Sequence, residues 1–296
     1  MLRIQTRFTV FLFLIVVSNM VLGASYYGDG SYADTGIGII YDDNLSRAEQ
    51  DSDIAEDFIT QFSAAYSGSS TLSQHSLLQY SIQGDLSRYD QYKDLNSIQL
   101  GGVTNFIYQP VNGFSRPWYE VSVSLGAKSH SDSDIRDSAN IGLGLNVNKR
   151  ITRDMLASIG YYYDHRFAKR DVFDTANHSV QADAEYSLFK GINLYSAYRV
   201  TLGEIVSTAT PNATIMSAAE SIAPDDVFSP GIGPGCMNRR CAYRLDALTH
   251  QVSLGLNLEV HDQVIVDFAS KYHSTDATGD NEYEGLIHQA NIWISF

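Results

Sequence analysis

Seven charged residues recur on the polar side of alternating segments and define the chemistry that this sequence offers. Acids outnumber bases among them, so a water-filled passage lined by them would favour cations over anions. The alternative is a set of salt-bridged side chains that fills the interior. The residues are Glu120, Asp183, Glu185, Glu259 and Asp267 with Arg199 and Lys271.

Catalytic chemistry finds little support in the residue pattern. His273, Ser274 and Asp276 are residue types of a nucleophile, base and orienter. Neighbouring residues of a strand point to opposite faces, so His273 and Ser274 do not meet. We therefore assign no catalytic residue, no metal and no cofactor, and predict that the protein is not an enzyme; a lipid or lipopolysaccharide hydrolase is the alternative.

The elements that must position these charges are β-strands, because apolar residues recur at every second position. In VSLGLNLEV, for example, Val252, Leu254 and Leu256 share one face while Ser253 and Gly255 share the other. A one-residue shift in register would move each predicted lumen charge to the opposite face. Twelve such segments are predicted: 34–42, 56–67, 75–86, 95–108, 117–128, 138–148, 153–164, 178–189, 191–205, 246–260, 262–273 and 283–296.

Segment length and connection length together favour a transmembrane barrel. Most segments suit the roughly 9–11 residues that a tilted membrane strand needs. Connections alternate between short and long, as in barrels with short periplasmic turns and long outer loops. We therefore predict an all-β fold, a transmembrane antiparallel up-and-down β-barrel of about 12 strands. A soluble sandwich or barrel is the alternative, although its apolar face would lie inside.

The N-terminus predicts export. Residues 1–23 have a basic start, with Arg3 and Arg7, an apolar stretch from Phe8 to Val17 and a small residue, Gly23, before the cleavage point. We predict a signal peptide over 1–23 and a barrel over 24–296. An even strand number places both termini on the periplasmic side of a bacterial outer membrane.

The net charge of the chain limits the kinds of molecule that it can bind. The net charge is −14, and removal of residues 1–23 takes away two arginines and no acid, giving −16. A surface this acidic excludes nucleic acid as a partner. The expected partners are outer-membrane lipid, lipopolysaccharide and the barrel assembly machinery, with a small cationic or saccharide solute.

The longest connection, 206–245, contains both cysteines. Cys236 and Cys241 are expected to form a disulfide, because an exported protein meets an oxidising compartment. Three roles remain open for this loop: a constriction inside the barrel, a lid over it, or an exposed surface loop.

Two stretches resemble known proteins. In Gram-negative outer-membrane β-barrel proteins of the β-barrel porin group, a Y-D-D-N-(hydrophobic)-x-R stretch follows the first strand and a Y-S-G turn the second. The resemblance implies a barrel, and some members of the group are linked to exopolysaccharide export. The matching residues are Tyr41, Asp42, Asp43, Asn44, Leu45 and Arg47, then Tyr66, Ser67 and Gly68.

The C-terminus is similar to the final-strand signal of outer-membrane proteins, which ends in Phe with apolar residues at alternate positions. Here Ile292, Ile294 and Phe296 share one face, and His288 departs from the pattern. The resemblance implies recognition by the assembly machinery and an outward, lipid-facing side for these residues. Trp293 is then expected inside the barrel.

Together these observations predict a small porin-like channel or a structural barrel, auxiliary to envelope polysaccharide transport. The alternatives are the hydrolase named above and a surface adhesin or binding platform that uses the loop at 206–245.

Overall fold

A computed structural model describes residues 30–228, 235–236 and 239–296. The predicted signal peptide, residues 1–23, lies outside the described residues. A short helix, Ala213–Ala218, is capped by Asn212, whose side chain accepts a hydrogen bond from the Ile215 amide. No helix in the described part of the chain is long and apolar enough to cross a membrane. The strands are β1 (Gly30–Asp42), β2 (Asp57–Ser73), β3 (Ser76–Tyr89), β4 (Ser97–Tyr108), β5 (Trp118–His130), β6 (Ser138–Arg150), β7 (Met155–Ala168), β8 (Thr175–Phe189), β9 (Ile192–Ala209), β10 (Ser221–Pro224), β11 (Cys241–His261), β12 (Val264–Ala277) and β13 (Asn281–Ser295).

These strands close into a ring. Consecutive strands pair antiparallel, β9 pairs with β11, and β13 returns to β1. At the closing seam Gly36 lies opposite Trp293, and the Phe296 amide donates a hydrogen bond to the Ala33 carbonyl. The short strand β10 pairs only with the end of β11 among the described strands. The ring of the described chain therefore contains twelve strands, as predicted, and leaves no open edge within it.

Polarity separates the two faces of the ring. On β6, for instance, Leu143 and Leu145 point outward and are about half exposed, whereas Gly142, Gly144 and Asn146 point inward. The same alternation runs along the other long strands, which confirms the period-two prediction. A large apolar exterior around a polar interior is the inverse of a soluble barrel and suits a hydrocarbon surrounding.

The two ends of the barrel differ. One end, which we name the turn end, contains the start of β1 and the end of β13. It also contains the connections 74–75, 109–117, 151–154, 190–191 and 262–263. The opposite end, the loop end, carries the first loop (43–56), second loop (90–96), third loop (131–137), fourth loop (169–174), fifth loop (210–240) and sixth connection (278–280).

Several predicted spans were too short at the loop end. The segment predicted over 246–260 begins five residues earlier, at Cys241, and the one predicted over 191–205 continues to Ala209. The two extensions pair with each other. Residues beyond the apolar band therefore still form backbone hydrogen bonds between the two strands. The sixth connection is also shorter than predicted, because Gly279 and Asp280 take positive φ and turn the chain within three residues.

Candidate functional site

The barrel interior holds the charged residues singled out from the sequence. Six of them are buried on the inner faces of their strands, and Glu259, near the turn end of β11, is partly exposed. The six are Glu120 on β5, Asp183 and Glu185 on β8, Arg199 on β9, and Asp267 and Lys271 on β12.

Arg199 and Asp183 belong to one wall of the interior, formed by β5 to β9. The guanidinium carbon of Arg199 lies 5.0 Å from the centre of the Tyr162 ring. Tyr162 in turn donates a hydrogen bond of 2.5 Å to Asn146 Oδ1. Asp183 lies two residues along β8 from Gln181, the register partner of Arg199, and Asp164 lies on the next strand, β7. Sequence reasoning missed Tyr162 and Asp164, although both occupy inward positions of the same alternating segment.

A second wall, formed by β9, β11, β12 and β13, holds Asp267 and Lys271. Tyr195 Oη donates to Asp267 Oδ2 at 2.8 Å, and Asn291 Nδ2 donates to Asp267 Oδ1 at 3.2 Å. Lys271 Nζ donates to Gln289 Oε1 at 3.2 Å. These contacts fix the carboxylate of Asp267 against the wall.

A third polar group, on β2 and β3, was not among the predicted site residues. Asp85 accepts hydrogen bonds from Ser63 at 2.6 Å, Gln83 at 2.7 Å and Gln61 at 3.0 Å. Asp85 falls on the inward face of an alternating segment, so the pattern that identified Asp183 was also the signal for Asp85. Acidic groups therefore surround the interior on several sides.

Large inward aromatic rings lie along the wall because glycines face them on the neighbouring strands. A Cβ atom at Gly36 would approach the Trp293 ring to 2.6 Å, and one at Gly144 would approach Tyr162 to 3.1 Å. Tyr195 covers Gly255 in the same way. The rings thus occupy space that a side chain would otherwise fill, instead of projecting across the interior.

The fifth loop crosses the loop end of the barrel. Its Val227 packs with Ile40 on β1, Ile59 on β2 and Tyr89 on β3. Strand β3 lies six positions from β9 in either direction around the ring, which is the opposite wall. Residues 225–228 of the fifth loop therefore lie across the mouth, whereas the helix Ala213–Ala218 leaves Met216 45% exposed.

A buried ion pair fastens this crossing segment. Arg136 of the third loop contacts Asp225 at 2.6 Å and Asp226 at 2.5 Å, and its guanidinium lies 4.5 Å from the Phe173 ring. Burial alone would raise the pKa of Asp225, but the charge and hydrogen bonds of Arg136, with donors from Val227 and Thr208, hold that pKa below its ordinary value. We name the contact of Arg136 with Asp225 and Asp226 the loop clamp.

The first loop also folds over the mouth, and the Y-D-D-N stretch explains its shape. Asp42 pairs with Arg47 at 2.9 Å, and Asn44 caps the turn by accepting from the Ala48 amide. Arg47 itself has a φ of 58° and contacts His273 on β12 at 3.2 Å. The loop then reaches β9, where Ser207 Oγ donates to the Arg47 carbonyl.

Several acidic side chains at the mouth are held by hydrogen bonds and ion pairs within the protein. Asp53 accepts from the backbone and hydroxyl of Thr210 and lies 3.1 Å from Arg240. Asp43 accepts from the Leu286 amide. The described residues contain no cluster of three or more His, Cys, Asp or Glu suited to a metal ion.

The disulfide prediction is confirmed. Cys236 and Cys241 are bonded across five residues, at the point where β11 begins. Cys241 is fully buried in a cluster with Ile205, Ile215 and Tyr283. The bond therefore anchors the end of the fifth loop to the barrel wall.

The three residue types considered for hydrolysis do not converge. His273 faces inward and is buried, Ser274 lies on the opposite face of β12, and Asp276 is exposed. The His273 ring instead packs against Tyr283, with ring centres 5.9 Å apart.

Comparison with known proteins bears on the fold. No protein-family model matches the chain, and no curated protein matches it. Among solved structures, it is similar to an outer-membrane channel from Pseudomonas putida F1, with 11% sequence identity and a TM-score of 0.55. The match covers 92% of this chain and 98% of that channel.

Two further likenesses are weaker. The KdgM porin in complex with disordered oligogalacturonate is 10% identical, with 88% of this chain and 99% of that chain covered and a TM-score of 0.40. The translocator domain of the autotransporter NalP from Neisseria meningitidis is 8% identical, with 97% and 96% covered and a TM-score of 0.42. TM-scores below 0.5 give these two no weight for the fold. The described chain is a closed, antiparallel, twelve-stranded β-barrel with the fold of an outer-membrane channel.

Proposed function

We propose that this protein is a narrow, cation-favouring channel for small hydrophilic solutes in a bacterial outer membrane. The observation that carries the proposal is the inner wall, which is polar between the mouth and the turn end. Between the strand ends, the described strands bury five carboxylates and four cations there: Asp85, Glu120, Asp183, Glu185 and Asp267 against Lys128, Arg166, Arg199 and Lys271. An excess of negative charge in a confined aqueous passage attracts cations.

The exterior supports the membrane location. Its apolar residues, such as Leu143, Leu254 and Phe268, would contact lipid. The turn end would face the periplasm, which places both termini on that side, and the loop end would face the medium. Ile292, Ile294 and Phe296 are exposed on the outer face of the final strand, where the assembly machinery would reach them.

The narrow interior also bears on the size of the solute. Its twelve strands fall between the eight-stranded barrels that side chains fill and the sixteen-stranded porins with an open channel, which leaves little cross-section for a polymer. A role beside envelope polysaccharide traffic would therefore be auxiliary, carrying ions or small saccharides.

Glu185 gives a clean test, because neither carboxylate oxygen makes a hydrogen bond among the described residues. Glu185→Gln thus removes charge without breaking a contact. In planar bilayers we expect stepwise conductance, with a reversal potential in a KCl gradient that shows cation preference. A unit charge 4 Å from an ion is worth about 1 kcal/mol in water, so Glu185→Gln should lower the cation-to-anion permeability ratio by up to about fivefold.

The matched control is Asp132→Asn, which removes one negative charge from the exposed third loop. We expect this variant to keep the permeability ratio of the wild type. Absence of conductance, or an anion-favouring wild-type channel, would refute the proposed function.

A further inference from the structure

Arg199 is a buried cation whose hydrogen-bonding capacity the protein does not use. Its side chain is 6% exposed and lies on the inward face of β9. Nε and Nη2 are enclosed, and neither makes a hydrogen bond among the described residues. These two atoms form one edge of the guanidinium, the edge that binds a carboxylate through two parallel hydrogen bonds.

The nearby carboxylates do not take that edge. Asp183 instead accepts one hydrogen bond on each oxygen, from Gln181 at 2.6 Å and Ser158 at 3.0 Å, and keeps a second acceptor site on each. Asp164 acts on Arg199 through its charge, yet no ion pair within 4.0 Å joins Arg199 to either acid among the described residues. An enclosed donor without an acceptor costs free energy, so this edge is suited to a group that the chain does not supply.

The surrounding wall has the opposite charge. Asp164 lies on β7, Asp183 on β8 and Glu120 on β5, and Glu120 is 5% exposed. The Tyr162 ring lies within the same group, under the influence of Asp183, Arg199 and Glu120. A simple anion that reaches Arg199 is repelled by these three acids, whereas a simple cation gains nothing from the guanidinium.

A solute with one negative and one positive group can bind both the guanidinium and the carboxylates. We propose that the wall formed by Arg199, Asp164 and Asp183 is a binding subsite for a small zwitterion of the α-amino-acid class. The solute carboxylate binds the Nε and Nη2 edge of Arg199, and its ammonium group binds Asp164 and Asp183. This inference rests on the proposed function, because the solute reaches the wall through the channel.

The test uses the full protein in detergent, with dissociation constants measured by ligand-observed NMR. The probes are L-alanine as the zwitterion, acetate as the anion, methylammonium as the cation and glucose as a neutral polyol. We expect L-alanine to bind at least about tenfold more tightly than each of the others, the difference that one charge-assisted contact gives.

Variants separate the two halves of the subsite. Arg199→Lys keeps the charge and removes the two-donor edge, so we expect L-alanine binding to weaken about tenfold. Asp164→Asn should weaken it as well. The matched controls, Arg153→Lys in an exposed turn and Asp132→Asn in an exposed loop, should bind as the wild type does.

Three results would overturn the subsite: no binding of L-alanine, binding of acetate or glucose as tight as that of L-alanine, or wild-type binding by Arg199→Lys. Conductance is recorded on the same preparations. Conductance without L-alanine binding refutes the subsite alone, whereas L-alanine binding without conductance supports the subsite and refutes the proposed function.

Discussion

At the scale of single residues, the interior combines groups fixed by hydrogen bonds with groups left available. Asp85 and Asp267 are each held by several donors, so they contribute charge from a fixed position. Glu185 and Arg199 bury polar atoms that have no partner among the described residues. Since buried polar groups are normally satisfied, such atoms indicate places where water or a solute takes part.

Asp225 supplies a pH-dependent prediction in the mouth, outside the membrane-spanning part of the strands. Its pKa in the folded protein lies below the ordinary value of 3.8. The loop clamp therefore contributes fully above that value, and its contribution is lost as the pH falls through the lower, folded-state pKa. Val227 and Phe228 donate their amides to Asp225, so we expect their protection from hydrogen exchange to fall over that range.

Amide exchange measured by NMR checks this expectation. Asp226→Asn is the control, because Asp226 is partly exposed and accepts from neither amide among the described contacts. It should keep the acid transition. Protection of Val227 that persists unchanged throughout the acid range would show that Asp225 does not hold the loop.

At the scale of elements, period-two alternation predicted the strands and their faces, because every strand has one side toward lipid and one toward the interior. It did not predict the strand ends, since Cys241 to Leu245 pair with the end of β9 without an apolar band to mark them. The segment predicted over 153–164 likewise continues to Ala168 in β7, where Arg166 points inward and donates to the Arg136 carbonyl.

The contacts that fold the loops over the mouth could not be predicted from the sequence. The contacts that close it join residues far apart in the chain, such as Arg136 with Asp225 and Arg47 with His273. No local sequence pattern predicts pairs of residues that lie so far apart in the chain. The YDDN stretch gave a resemblance, but its role in shaping the first loop follows only from the contacts of Asn44 and Arg47.

The loop clamp carries a prediction of its own. Arg136→Gln leaves Asp225 buried without its cationic partner, and breaking one side of a buried pair costs about 3–5 kcal/mol. That is enough to release the crossing segment from the mouth, so we expect a higher single-channel conductance. The disulfide at Cys236 and Cys241 stays intact in this variant and keeps the fifth loop attached.

Lys169→Gln is the matched control. Lys169 pairs with Asp134 between the third and fourth loops, but both side chains are exposed. Exposed pairs contribute little, so the conductance should match that of the wild type. If Arg136→Gln conducts no more than Lys169→Gln does, the fifth loop does not limit passage.

At the scale of the whole molecule, the proposed channel requires a barrel that is wet inside and faces lipid outside. Neighbouring residues of β5 test it, because Ser122 is buried on the inner face and Val123 is 42% exposed on the outer face. The two substituted positions, Ser122 and Val123, are adjacent in the strand but lie on opposite faces of the barrel wall. Both native cysteines are in the disulfide, so neither competes.

The decisive measurement is modification of each variant in lipid vesicles by a small, cationic, membrane-impermeant thiol reagent. We expect Ser122→Cys to react and Val123→Cys to remain unmodified. Reaction of Val123→Cys without reaction of Ser122→Cys would contradict the account, because the barrel would then be dry inside and wet outside.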